Sequence, residues 1–185
     1  MTLYLETSRL TLRPFCENDI PTFTAYRSDP LVAQYQGWDA PYSVSQARKL
    51  VQEMQQITPG EAGEWYQVAI ERKADQLLIG DCAFCVLAED ARQAEIGFTL
   101  ARAYQGQGYA TEAVGRLVEY LFADLSLHRI QANCDVANNA SSSLMERLGM
   151  RREAHFVESI WFKGEWRSEY CYGLLRREWR VRGPK

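Results

Sequence analysis

Apolar residues recur along the chain in two rhythms, one of period two and one of period 3.6. Leu10 and Leu12 alternate with Thr11 and Arg13 before Pro14, which predicts a first strand that stops at the proline. Asn18-Asp19-Ile20-Pro21 has proline near a first helical position and predicts a helix start. Ser43 opens a second helix, with Ala47, Leu50, Val51, Met54 and Ile57 at helical spacing and Pro59-Gly60 as the stop. Three apolar-rich runs follow, Trp65 to Ile70, Leu77 to Leu87 and Ala94 to Leu100. Polar stretches such as Glu71-Arg72-Lys73-Ala74-Asp75-Gln76 separate them, the pattern of an antiparallel meander.

The strongest helical signal comes next. Ala110, Ala113, Val114, Leu117, Val118, Leu121, Phe122 and Leu125 keep the i, i+3, i+4, i+7 rhythm, so one face of this helix must be buried. Arg129 to Cys134 predicts a short strand, and Asn139 to Leu148 a helix stopped by Gly149 in a left-handed conformation. Glu153 to Phe162 and Trp166 to Leu175 complete the chain as two strands around a turn at Lys163-Gly164-Glu165. The expected class is mixed α/β, a central, mostly antiparallel sheet of about seven strands flanked by about four helices. No repeat, low-complexity segment or linker interrupts it, so residues 1–185 are expected to form a single domain.

Composition narrows the function. A chain of 185 residues, 46% hydrophobic, can bury one substantial core. Its net charge of −3 provides no basic field for a phosphate backbone, so nucleic acid is not an expected partner. Five cysteines, an odd and scattered set, together with charges at Glu6, Arg9 and Arg13 and no apolar run of bilayer length, imply a cytoplasmic protein with reduced thiols and no membrane partner. Cys82-Ala83-Phe84-Cys85 falls in a predicted strand, where a separation of three sends the side chains to opposite faces. Chelation by that pair would need a turn, so no metal is expected.

The chemistry concentrates between the strand ending at Leu100 and the long helix, at Gln105-Gly106-Gln107-Gly108-Tyr109-Ala110-Thr111. A strand-to-helix turn aims free amide N–H groups at one point. Glycine lets the backbone approach a ligand closely, and the helix N-terminus adds roughly half a positive charge. A pyrophosphate can be held there without lysine or metal. A P-loop would need Gly-Lys-Ser/Thr at the helix start and a dinucleotide fold a third glycine at Thr111, and neither is present. An ordinary glycine turn before a surface helix remains the plain alternative for the loop by itself.

Gln105-x-x-Gly108-x-Ala110 matches the Gln/Arg-x-x-Gly-x-Gly/Ala signature of the GNAT acetyltransferases, in that superfamily's element order. The stretch Ala94-Glu95-Ile96-Gly97-Phe98-Thr99-Leu100 through Gly108-Tyr109-Ala110-Thr111-Glu112-Ala113 resembles the branch containing the ribosomal-protein alanine N-acetyltransferases of the RimJ/RimL type. Asn138-Asn139-Ala140-Ser141 and Leu144-Met145-Glu146-Arg147-Leu148-Gly149-Met150 are similar to a second family block. Glu6 to Arg13, Trp38-Asp39 with Tyr42-Ser43, and Phe162 to Trp166 are similar to further family segments. Met150 departs from the usual phenylalanine and Ser168 from a common aspartate, the latter near the acceptor side.

The resemblance implies acetyl-CoA as co-substrate, bound by Gln105, Gly106, Gln107, Gly108, Tyr109, Ala110 and Thr111. It implies a splayed sheet whose gap takes the pantetheine arm against the backbone of Phe98 and Leu100, where core packing would select the same residues. Asn138 is implied as a further contact to that arm, or else as a helix N-cap. Ser141 is a candidate to bind or protonate the departing thiolate, or to cap the helix. By position Glu95 matches the superfamily's glutamate base, acting directly or through water, against the alternative of a solvated strand-edge carboxylate.

Glu112 is read as structural, favoured by the helix dipole, and Tyr109 stacks on a ligand or packs. Cys134 has no base beside it in sequence, so direct attack of the amine is expected rather than an acyl-cysteine. The acceptor is an amine, a peptide or protein α-amine or a small molecule such as an antibiotic or polyamine, and Trp38, Tyr42, Trp161 and Trp166 either line its cleft or pack. A catalytically silent acyl-CoA-binding module is the reading of another class, and a homodimer is possible in either case.

Overall fold

The computed structural model describes residues 3–182. Eight strands form one sheet in the order β1-β2-β3-β4-β5-β6-β8-β7: β1 (Leu5–Glu6), β2 (Leu10–Arg13), β3 (Trp65–Arg72), β4 (Leu77–Val86), β5 (Gln93–Leu100), β6 (Arg129–Asp135), β7 (Arg151–Phe162) and β8 (Glu165–Leu175). Every neighbouring pair is antiparallel except β5 with β6. Six helices accompany it among the described residues: α1 (Ile20–Arg27), α2 (Pro30–Ala33), α3 (Val44–Met54), α4 (Tyr109–Ala123), α5 (Asn139–Arg147) and α6 (Arg176–Arg182). No helix among the described residues is long and apolar enough to cross a membrane.

Strand and helix residues together build two cores on opposite faces of the sheet. Val114, Leu117, Val118 and Leu121 of α4 pack on Val68, Phe84, Ile96 and Ile130 on one face. On the other, Phe23 and Tyr26 of α1 join Ala47 and Val51 of α3 over Ala69 and Leu78. Ile57 and Leu125 fit the helical spacing but lie past the ends of α3 and α4. Both pack on the α4-side core from loops, and an apolar tally cannot separate that from one more helical turn.

Capping sets the boundaries. Ser43 accepts from the Gln46 N–H while the Gln46 side chain takes the Ser43 N–H, a reciprocal box that starts α3. Gly149, at φ +84°, ends the α5 segment. The β7–β8 turn is Lys163-Gly164 alone, both left-handed (φ +49° and +88°), and Glu165 already belongs to β8. Cys82 and Cys85 lie in β4, Cys82 in the α4-side core and Cys85 opposite Glu95, and both are buried.

Glu112, in the first turn of α4, fastens the β1–β2 turn to that helix. One carboxylate oxygen accepts from Thr7 Oγ1 (2.6 Å), Ser8 Oγ (3.1 Å) and the Arg9 N–H (2.9 Å), and the other from Arg9 Nε (2.6 Å). Burial pushes this carboxyl up, but the bonds from Thr7, Arg9 and Ser8 outweigh it and hold the group below its ordinary value. The structural role expected of Glu112 thus extends beyond the helix dipole to a long-range clamp.

Candidate active site

The turn before α4 has the conformation that its glycines permit. Gly106 and Gly108 sit at φ +74° and +80°, and Gly108 is the residue that caps the helix. A cap without a side chain leaves the N–H groups of Tyr109, Ala110 and Thr111 with neither an intrahelical acceptor nor a capping oxygen. A Cβ added at Gly106 would meet nothing within 4 Å, and one at Gly108 only Arg9 Nη2 at 3.4 Å. The ground before these amides is therefore open, as an anion requires.

From this turn the free edge of β5 leads inward. β5 pairs with β6 only through Gln93, Ala94 and Glu95, opposite Arg129, Ile130 and Gln131. Beyond them β5 continues to Leu100 against β4, and β6 continues to Asp135 against β8, so the two strands part. On the parted edge the Phe98 carbonyl accepts from Gln36 Nε2 (3.4 Å) and the Leu100 carbonyl from Gln105 Nε2 (3.0 Å). Within a strand a residue's N–H and C=O point to the same side, so the amides of Phe98 and Leu100 also face the gap.

A cleft of about 490 Å³ occupies the gap, within the usual range for small-molecule sites. Of the residues expected to bind the co-substrate, Phe98, Leu100, Gln105, Gly106, Gly108, Tyr109, Ala110, Thr111, Asn138 and Ser141 line it. Gln107 does not: its side chain bonds back to the Ala103 carbonyl (2.9 Å), and its own carbonyl accepts from Arg9 Nη1 (3.1 Å). Gln105 lines the cleft while its side-chain amide braces the loop through Leu100.

Asn138 caps α5, its Oδ1 accepting from the Ser141 N–H (3.2 Å). The cap and the cleft lining coexist, and the group Asn138 has to offer a ligand is its Nδ2 amide. Ser141, a half-buried residue, sits in the first turn of α5 at the cleft wall. Cys134 faces α5, with its sulfur 3.4 Å from Ser142 Oγ. Burial raises its thiol pKa despite that hydrogen bond, which keeps it a poor nucleophile.

Glu95 stands in the last pair before the strands part, opposite Gln131, three positions before Phe98, the nearest cleft-lining residue of β5. It is half-buried. Burial lifts its pKa, the Gln131 amide partly offsets this, and the charge of Glu169 adds to the rise. Its alternative as a fully solvated edge carboxylate does not match that environment.

The aromatic residues considered for the acceptor side are dispersed. Tyr42 is buried in the α1–α3 core, and Trp38 stacks on the buried Arg27 guanidinium at 3.8 Å. Trp161 and Trp166 form an exposed cross-strand pair near the hairpin end, with ring centroids 5.6 Å apart. Ser168 Oγ accepts the Glu158 N–H (2.9 Å) and so steadies the irregularity in β7 between Phe156 and Ile160. None of the five lines the cleft.

Other residues enter the site without a signal in the sequence. Leu31, Val32, Tyr35 and Gln36, from α2 and the loop after it, close the cleft opposite α5. Arg147 reaches the lining from the end of α5, and Arg9 stacks on Tyr109 at 4.4 Å beside Gly108. The cleft lining therefore includes Arg147, and the Arg9 guanidinium stands beside the open start of α4. Lys163, at the hairpin tip, donates to the carbonyls of Ala33 (2.9 Å) and Trp38 and pairs with Asp39 at 3.3 Å, tying β7–β8 to the α2 segment.

A bare helix N-terminus thus opens into a gap between parting strands, with a half-buried carboxylate where the strands part. The chain belongs to the GNAT acetyltransferase family: the model described as "Acetyltransferase (GNAT) domain" matches residues 9–151. It is 35% identical to the uncharacterized N-acetyltransferase p20 of Bacillus licheniformis over 96% of this chain and 98% of that protein. Over 45% of this chain and 43% of the relative it is 29% identical to the [ribosomal protein uS5]-alanine N-acetyltransferase of Escherichia coli. The crystal structure of a GNAT-family acetyltransferase from Bacillus anthracis superposes with a TM-score of 0.84 at 29% identity, covering 95% of this chain and 100% of that one. The protein is thus an N-acetyltransferase of a family that uses acetyl-CoA.

Proposed function

We propose that the protein acetylates the α-amine of a peptide or protein N-terminus by direct attack on the acetyl-CoA thioester. The observation carrying this reading is the parting of β5 and β6 immediately after Glu95, which puts a half-buried carboxylate at the apex of the gap that the cleft occupies. The amides of Tyr109, Ala110 and Thr111 hold the diphosphate, and the free N–H groups of Phe98 and Leu100, with Asn138 Nδ2, hold the pantetheine arm. Glu95, through water, takes the proton of the incoming ammonium, and Ser141 faces the departing thiolate.

The size of the proton-transfer task favours an α-amine. A lysine-like amine with pKa about 10.4 costs roughly 4.6 kcal/mol to deprotonate at pH 7, and an α-amine near 7.7 to 8.0 only about 1 to 1.4. A carboxylate acting through water suits the smaller task. The likeness to a ribosomal-protein alanine N-acetyltransferase supports the same acceptor class.

The test is mass spectrometry of the purified chain with acetyl-CoA and three acceptors: an alanine-initial peptide, the same peptide with a blocked N-terminus and an internal lysine, and spermidine. Acetylation of the free α-amine alone is expected. Transfer only to lysine or spermidine overturns the acceptor assignment, and acetyl-CoA binding without transfer to any amine overturns catalysis in favour of a binding module.

A further inference from the structure

The side chains of β5 divide between the two faces of the sheet. Ile96 and Leu100 belong to the α4 core. Thr99 lies opposite Asp81, which bonds Tyr26 of α1 and pairs with Arg27, so Glu95, Gly97 and Thr99 face the α1 side. Of these three, Thr99 is buried under neighbouring elements and Glu95 occupies the apex. Gly97, between them, adjoins Phe98 and contributes no side chain.

The space at Gly97 is open. A Cβ built there would touch only one atom, Trp65 Cζ3 at 4.0 Å. Trp65 faces Cys85 across β4, which in turn faces Glu95, so the indole lies on the same side of the sheet as the carboxylate and is 43% exposed. Across the gap the α1-side position of β6 is Asn133, exposed and beyond the last β5–β6 pair. The glycine thus leaves an unfilled place beside a half-exposed aromatic ring, on the same face of β5 as the carboxylate and adjacent in sequence to the cleft-lining Phe98.

We propose that Gly97 and Trp65 form the opening through which the acceptor amine reaches the cleft from the α1 side, and that together they set the bulk of acceptor the protein accepts. This rests on the reading of Glu95 as the base: an amine entering at Gly97 passes the carboxylate on the face to which it points. The indole gives the ammonium an apolar, π-bearing wall before its proton is lost. The opening takes a chain end, and its width depends on the absent side chain at position 97.

The test uses Gly97→Ala, Gly97→Val and Trp65→Phe in the full chain. Gly97 is not among the left-handed glycines, and valine suits a strand, so these variants are compatible with β5. With the alanine-initial peptide as probe, Gly97→Val raises the amine KM by roughly tenfold or more, and Gly97→Ala by less. Calorimetric affinity for acetyl-CoA stays at the wild-type value in both.

The peptide changes the indole emission of the wild type, and Trp65→Phe removes that response although four other tryptophans remain. An unchanged amine KM in Gly97→Val, an equal loss of acetyl-CoA affinity, or an emission response that survives Trp65→Phe overturns the inference. A wild type that does not acetylate the peptide overturns the proposed function instead, and the emission titration with the peptide still decides the opening.

Discussion

Replacing Gly106 and Gly108 with alanine tests the anion cradle through its backbone. Each residue holds a left-handed φ, +74° and +80°, which costs a non-glycine residue about 1–2 kcal/mol. Alanine also stiffens the unfolded chain, which offsets about 0.4–1 kcal/mol of that, leaving about 1 kcal/mol per site and about 2 for the pair. Sterics add little: position 106 is open, and at 108 the Cβ meets only the mobile end of Arg9. A loop that keeps its shape registers the whole cost as lower stability, and one that relaxes registers it as weaker binding.

The sum is the same in either case. Differential scanning calorimetry of the free protein and titration calorimetry with acetyl-CoA should together account for about 2 kcal/mol, equivalent to about thirtyfold in Kd if all of it appears in binding. Gly164→Ala is the control. Its φ of +88° imposes a similar backbone cost at the hairpin tip, outside the cleft, so it lowers stability and leaves acetyl-CoA affinity alone. Wild-type stability and wild-type affinity in the double variant would refute the reasoning. So would a loss of affinity in Gly164→Ala as large as in the pair.

Glu95→Gln should lower kcat by about 10²- to 10⁴-fold, and a loss below threefold would remove Glu95 from the chemistry. The base works ionised and its pKa is raised by burial, so wild-type kcat/KM should fall on the acid side through a pKa above the ordinary glutamate value of about 4.3, a limb absent from the variant. Glu112→Gln should cost about 1–2 kcal/mol in urea denaturation at pH 7. Because the folded pKa of Glu112 lies below the unfolded one, its contribution is present above about pH 4.3 and disappears as pH falls through the folded value, so the two proteins should converge in strong acid. Lys163→Met frees the hairpin from Ala33 and Trp38 and should raise the acceptor KM by roughly three- to tenfold. Acetyl-CoA affinity should stay unchanged, with partial recovery in Lys163→Arg.

The strands and helices with a long, regular apolar pattern were legible, β3 to β5 and α4 above all, because each presents one face to a core. β1 and α2 were not. Two and four residues are too few to show a period, and both are held by tertiary contacts such as the Glu112 clamp and the Lys163 tie. In the site, the loop could be read because φ > 0 leaves a glycine signature and a helix start leaves its own. The placement of Gln36 on the Phe98 carbonyl and of Arg9 beside Gly108 could not, since each joins residues more than 60 positions apart through surface loops. The turning of Gln107 away from the cleft follows from a local bond to Ala103 that no composition or spacing announces.

Among the described residues, three rungs of backbone, at Gln93, Ala94 and Glu95, pair β5 with β6 across the middle of the sheet. Above them the molecule behaves as two half-sheets sharing a seam, each with its own helical backing. A slender guest can slide edgewise between such halves without displacing any of the packed interior. The N–H groups of Phe98 and Leu100, which the unzipped edge leaves without a strand partner, are of the kind that a peptide-like arm would bond, so one irregularity in strand pairing both opens the gap and equips it.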